Sequence, residues 1–264
     1  MKQHPPESLR AFPPLSASPG RGTQPARRGG PCAAARAWGV PVSCAVFLAV
    51  LLAALLTACG SRPPVPDWQM NAHGAAERAT AAYLAGEDRV AQQEWARARA
   101  EVARTGRPQL LARVELMRCA AQAASLEGGA CPAFEPLRPD AAPPELAYAD
   151  YLAGRATPAQ AALLPPAQRA AAASVDAIAA ITDPLARLVA AGAAMQSGRA
   201  TPQLLVLASD TAAAQGWRRP LLAWLLLRTQ RAQAAGDAAL ADALQRRIAI
   251  IESGGAPAAQ APKN

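Results

Sequence analysis

Punctuation governs what this chain can become. Through residues 69–252, glycine and proline recur in fixed company: "TGRP" at 105–108, "GRATP" at 154–158 and again at 198–202, "LPPAQ" at 164–168, "TDP" at 182–184 and "AGD" at 235–237. Such clusters pair a helix stop with a helix start. Glycine takes the left-handed turn after the last helical residue. Thr or Asp then caps the next helix, and Pro occupies its first turn, where the missing N–H costs nothing. A chain cut this often predicts nine or ten helices of about 10–18 residues, joined by short loops.

Between the marks, apolar residues recur at helical spacing. Leu185, Leu188, Val189, Gly192 and Met195 form one face, and Leu240, Leu244, Ile248 and Ile251 another. "LLAWLLL" at 221–227 is apolar on every side and reads as the buried centre of a helix. No segment alternates with period two. Composition agrees: hydrophobic residues make up 52% of the 264, but only 4% are aromatic, and alanine carries much of the count. Alanine forms helices well and fills space poorly. A sandwich or barrel would need more Val, Ile, Thr and Tyr. The expected class is all-α, built from antiparallel helical hairpins.

A repeat runs through these helices. "YLAG" occurs at 83–86 and 151–154, an offset of 68, which is twice the 34 residues of a tetratricopeptide unit. Ala91 then matches Ala159, and Trp95 matches Leu163. Gly86, Ala91, Trp95 and Ala98 resemble the small and aromatic core positions of that repeat, and Gly236 with Ala241 repeats its first step. The resemblance implies stacked helix pairs with a concave face for a partner. The second GRATP falls 44 residues after the first, off period. A tetratricopeptide-like array and an irregular helical bundle therefore both stay open.

The N-terminal part follows different rules. Residues 1–58 hold six basic residues against Glu7, whereas residues 59–264 hold 21 basic and 18 acidic. The formal charge of +8 thus sits mostly in a leader. The remaining basic residues are scattered, without the stripe that nucleic acid attracts, so no nucleic-acid partner is expected. A basic stretch ending at Arg36 precedes an uncharged apolar run, Val42 to Ala58, and small residues close it. Basic, apolar, small is the order of a secretory signal. The run is also close to the roughly 20 apolar residues of a spanning helix, so an uncleaved anchor remains the alternative.

Leu56-Thr57-Ala58-Cys59 resembles the lipobox of bacterial lipoproteins. The resemblance implies cleavage between Ala58 and Cys59, and palmitate-type acylation at Cys59. One acyl chain holds a protein only marginally, so two or three are needed for lasting attachment. Gly60, where an aspartate would imply inner-membrane retention, implies an outer-membrane lipoprotein facing the periplasm. The expected organisation is a leader and signal at 1–58, a lipidated cysteine and Pro-rich tether at 59–68, a helical domain at 69–252 and a disordered tail at 253–264. A leader of about 40 residues before the apolar core is longer than such signals usually carry. Its low-complexity sequence is either a reading frame begun too far upstream or a disordered extension.

After processing, Cys119 and Cys131 remain, an even pair in an oxidising compartment. A structural disulfide is the expectation, and two separate buried thiols are the alternative. The Gly128-Gly129 pair between them should break the chain. Two cysteines and His73 cannot complete a zinc tetrahedron, and no metal or cofactor is expected.

Residues for catalysis are thin. His73 stands alone beside a glycine, as a surface or capping residue does; Glu87-Asp88 suits a solvated turn; Glu94, Arg97 and Glu101 suit an ion-paired face. No nucleophile elbow, zinc-protease or phosphate-loop pattern occurs. Trp68 either staples the first helix or meets the membrane interface. The chain is similar to proteobacterial lipoproteins, and the expected role is a non-enzymatic, lipid-anchored scaffold or adaptor for a protein partner. The alternative is a peptidoglycan-acting envelope enzyme or its accessory subunit.

Overall fold

In the computed structural model, residues 65–254 are described, and the leader, lipobox and tail beyond Gly254 lie outside them. Among the described residues nine α-helices run in order: α1 Asp67–Ala85, α2 Asp88–Ala103, α3 Pro108–Ala124, α4 Pro143–Leu152, α5 Pro166–Ala173, α6 Pro184–Gln196, α7 Pro202–Gln215, α8 Arg218–Ala234 and α9 Ala238–Glu252. Three 3-10 segments, Glu135–Asp140, Pro158–Leu163 and Val175–Ala180, fill the middle of the chain. No strand occurs among the described residues, and the all-α class holds. Helix α1 begins at Asp67, so Trp68 lies within it rather than in the tether.

The predicted stops work as read. Gly106, Gly154, Gly198 and Gly236 have positive φ, at 62°, 72°, 70° and 75°. Thr201, Asp183 and Asp237 each accept a hydrogen bond from the backbone N–H three residues on, at 3.2, 2.6 and 3.0 Å. The two GRATP copies nevertheless end differently. The second starts a 14-residue α-helix; the first starts only the 3-10 turn Pro158–Leu163. Pro165 and Pro166 lie just beyond that turn and forbid a continuous helix.

Gly128-Gly129 lies in the non-helical stretch between α3 and the next 3-10 segment, as expected, but the helix has already ended before it, at Leu126 with φ of 62°. Its N–H reaches Ala123 O at 3.1 Å, and the Glu127 N–H reaches Gln122 O at 2.9 Å. This is the double bond pattern of a left-handed helix cap, on a residue that pays a steric cost for it.

Hairpins form both ends of the domain. α1 and α2 pack antiparallel across the two-residue turn Gly86-Glu87, with Ala72, Ala75, Ala76 and Ala79 of α1 fully buried against Trp95 and Ala98 of α2. Small side chains let the axes approach, and the indole fills the space between. α8 and α9 pair in the same way over Leu225, Leu244 and Ile248. Between them the larger core gathers α3, α4, α6 and α7. α3 packs on α6, and α8 returns to α1. Such non-sequential contacts differ from a stack in which each repeat touches only its neighbours.

Two apolar assignments need amending. Leu226 of the LLAWLLL run is 48% exposed, and Leu240 is 41% exposed, although Trp224 and Leu225 are fully buried. A run apolar all round still leaves a helix face exposed where no neighbouring element covers it.

Arginine–glutamate pairs stitch successive helices. Arg78 of α1 meets Glu94 of α2 at 2.8 Å, Arg99 of α2 meets Glu115 of α3, and Arg113 of α3 meets Glu145 of α4 at 2.6 Å. Glu115 and Glu145 are buried, so each carboxylate depends on its partner to offset desolvation. Arg219, opening α8, closes the domain: its Nε donates to Tyr83 O at 2.8 Å, and its guanidinium pairs with Asp88 and, at 3.2 Å, Glu127.

Candidate functional site

Both GRATP turns arrive at one place. Gly154, ending α4, lies so close to the end of α6 that a Cβ there would stand 2.5 Å from Gln196 C and 2.6 Å from Ser197 N. Only glycine permits that approach, and its φ of 72° excludes most other residues independently. The contact brings Ala156, Thr157 and Pro158 of the first copy beside Ser197 and Arg199 of the second region. Tyr151, Ala161, Ala172, Ala173 and Ala193 complete the walls of a pocket of about 390 Å³.

A buried polar chain holds the wall rigid. The Tyr151 hydroxyl donates to Gln168 Oε1 at 2.8 Å, and Gln168 Nε2 donates to Ala186 O at 3.0 Å, linking α4, α5 and α6. Burial pushes the Tyr151 phenol upward from its ordinary pKa, with the nearby positive charge of Arg199 pulling the other way. The phenol stays protonated and serves as a donor.

The two arginines of the repeated pentapeptide differ in what surrounds them. Arg155 lies 3.5 Å from Asp150, a carboxylate that also receives Arg138 at 3.4 Å and Gln160 Nε2 at 3.0 Å. Arg199 is held by neutral oxygens: its Nε donates to Ser197 Oγ and its Nη1 to Ala172 O, both at 3.0 Å. No ion pair to Arg199 occurs among the described residues. Arg199 is exposed, and these two hydrogen bonds orient it while its charge stays open to the pocket.

Family models, curated proteins and solved structures offer no match to this chain.

The residues singled out from sequence fall elsewhere. Ala58 and Cys59 lie outside the described residues. Cys119, in α3, and Cys131, in the loop after it, are joined as a disulfide with Cα atoms 6.0 Å apart. That separation lies in the range a disulfide spans without moving the backbone. His73 is a surface residue, its Nε2 3.1 Å from Glu77 Oε1. Glu94 takes Arg97 at 2.9 Å as well as Arg78, and Glu101 takes Arg104 at 3.0 Å. Asp88 is not merely a solvated turn, since it receives Arg219. Trp68 packs against the α1–α2 core. Among the described residues, no three His, Cys, Asp or Glu cluster as metal ligands would, and no helix is long and apolar enough to cross a membrane.

Sequence reasoning treated GRATP as punctuation and missed the pocket. The signal was present: a pentapeptide repeated off period, with a cation inside it, is more than a stop and a start require.

Proposed function

We propose that this protein is a lipid-anchored envelope adaptor, tethered to the outer membrane through Cys59, whose helical domain engages a protein partner in the periplasm at the pocket between its GRATP turns. The pocket carries the reading. Its walls are methyl groups, hydroxyls engaged in internal hydrogen bonds and one fixed guanidinium, which suits recognition better than bond-making. Of the domain's buried carboxylates, Glu115 and Glu145 are each committed to an arginine of a neighbouring helix, and Asp183 caps α6 by accepting from the Ala186 N–H. The lipobox supplies the location and the Pro-rich tether the reach.

Two measurements test it. Metabolic labelling with palmitate should mark the native protein and not Cys59→Ala. A photo-crosslinking residue replacing exposed Thr157, used in the intact envelope, should give one reproducible protein adduct. Filling the pocket with Ala161→Trp should remove that adduct, and a crosslinker at exposed Gln230 should not form it. Unlabelled protein retaining its leader, or adducts indifferent to Ala161→Trp, would overturn the proposal.

A further inference from the structure

We infer that the pocket recognises a carboxylate borne on a compact apolar body, of the kind a peptide ending in small residues presents. The inference deepens the adaptor reading and rests on it for the pocket's role as the docking site. Arg199 is the one charged side chain among the pocket's lining residues. Two hydrogen bonds to neutral oxygens orient it, and they occupy Nε and one N–H of Nη1. Both N–H groups of Nη2 and the second N–H of Nη1 remain for a ligand. Guanidinium donors of this kind suit the two oxygens of a carboxylate.

The other polar groups narrow the choice. Ser197 Oγ donates to Ala194 O at 3.1 Å, Thr157 Oγ1 to Gln160 Oε1 at 3.0 Å and Tyr151 to Gln168. Their protons are spent inside the protein, so Arg199 is the side-chain donor left among the lining residues. One guanidinium, with no lysine among the lining residues, balances a monoanion and leaves a phosphate dianion undercompensated. Ala156, Ala161, Ala172, Ala173 and Pro158 then offer contacts of methyl size, and 390 Å³ lies near the small end of ligand sites.

Calorimetric titration of the full chain in detergent tests the inference with four probes: N-acetyl-Ala-Ala as the free acid, the same peptide as its C-terminal amide, isobutyrate and inorganic phosphate. The peptide acid should bind at least about tenfold more tightly than the amide and than phosphate. A peptide acid stronger than isobutyrate identifies a chain terminus as the source; equal affinity identifies a free small acid, and both support the carboxylate chemistry. Arg199→Gln should lower affinity for the acid about tenfold or more while leaving the melting temperature unchanged, with Arg199→Lys between them. Acid and amide binding alike, an unaffected Arg199→Gln, or no binding of either carboxylate up to about 10 mM would overturn it. Absence of carboxylate binding with the Thr157 adduct still formed refutes the ligand chemistry alone; absence of any adduct while the pocket is unfilled refutes the adaptor reading.

Discussion

Adding one methyl group at Gly192 should open the centre of the domain. Gly192 lies on the inward face of α6, and a Cβ built on it would stand 2.1 Å from Ala123 O and 2.7 Å from Ala123 C. Cβ atoms essentially never come within 3.0 Å of such neighbours, so α3 and α6 must part by about 1 Å, and helices in a packed core transmit that shift rather than absorb it. The obstacle is backbone, and it is pinned: Trp224 Nε1 donates to the next carbonyl, Ala124 O, at 3.0 Å. Overpacking of this kind costs about 3 kcal/mol, and the better helix propensity of alanine returns about 1 kcal/mol. The net loss is about 2 kcal/mol, a fall in melting temperature of about 4–8 °C for a domain of this size. Gly74→Ala supplies the control, because its Cβ would meet only the flexible end of Arg78 at 3.2 Å. That variant should gain about 0.5–1 kcal/mol. Helical circular dichroism during heating of the full chain reads both. Gly192→Ala melting at or above the parent temperature would refute the crossing geometry.

Other perturbations address single contacts. Arg113→Met should cost about 3 kcal/mol by stranding buried Glu145, and Arg113→Met/Glu145→Met should recover most of it, as urea midpoints would measure. Replacing Cys119 and Cys131 together with alanine should lower stability by roughly 3 kcal/mol on the chain-entropy account, and a reductant should then have no further effect. All three tyrosines of the chain are buried, and burial raises the pKa of each of Tyr83, Tyr148 and Tyr151 above the ordinary value of 10.0. The folded state therefore favours the protonated phenols; stability is intact below about pH 10 and falls as pH rises past it, because the unfolded chain ionises first. Tyrosinate absorbance and helix loss should rise together, and phenols ionising in a still-folded protein would contradict the burial.

How much of this was legible follows from the range of the signals. Helix ends are set by residues within four positions of one another, so Gly106, Thr201 and Asp183 could be read directly. One face of α6 was legible too, with Leu185, Leu188 and Val189 buried as their spacing required. Leu126 was not, because a bulky residue in a left-handed cap is tolerated only when the surrounding fold holds it. Leu226 and Leu240 were misplaced because spacing shows which residues share a face, not whether a neighbour covers that face. The pocket was the least visible. Its pieces lie on α4, a 3-10 turn, α5 and α6, and nothing local in either GRATP copy states that the other will meet it.

That meeting explains why the same five residues can serve two purposes. In each copy the glycine ends one helix, and Thr-Pro begins the next element, which is a local function satisfied wherever the motif falls. Tertiary packing then separates the copies. The first lies beside Asp150, which pairs with Arg155 as well as Arg138, and its continuation is stopped by Pro165 and Pro166. The second has α5 beside it instead, and Ala172 offers Arg199 a carbonyl where a carboxylate would have cancelled its charge. Exchanging the two environments makes the point testable in thought: an aspartate in place of Ser197 would hold Arg199 just as firmly and leave nothing for a ligand. Position and charge are thus controlled separately at this site, the first by neutral acceptors and the second by the exclusion of acids from the pocket wall.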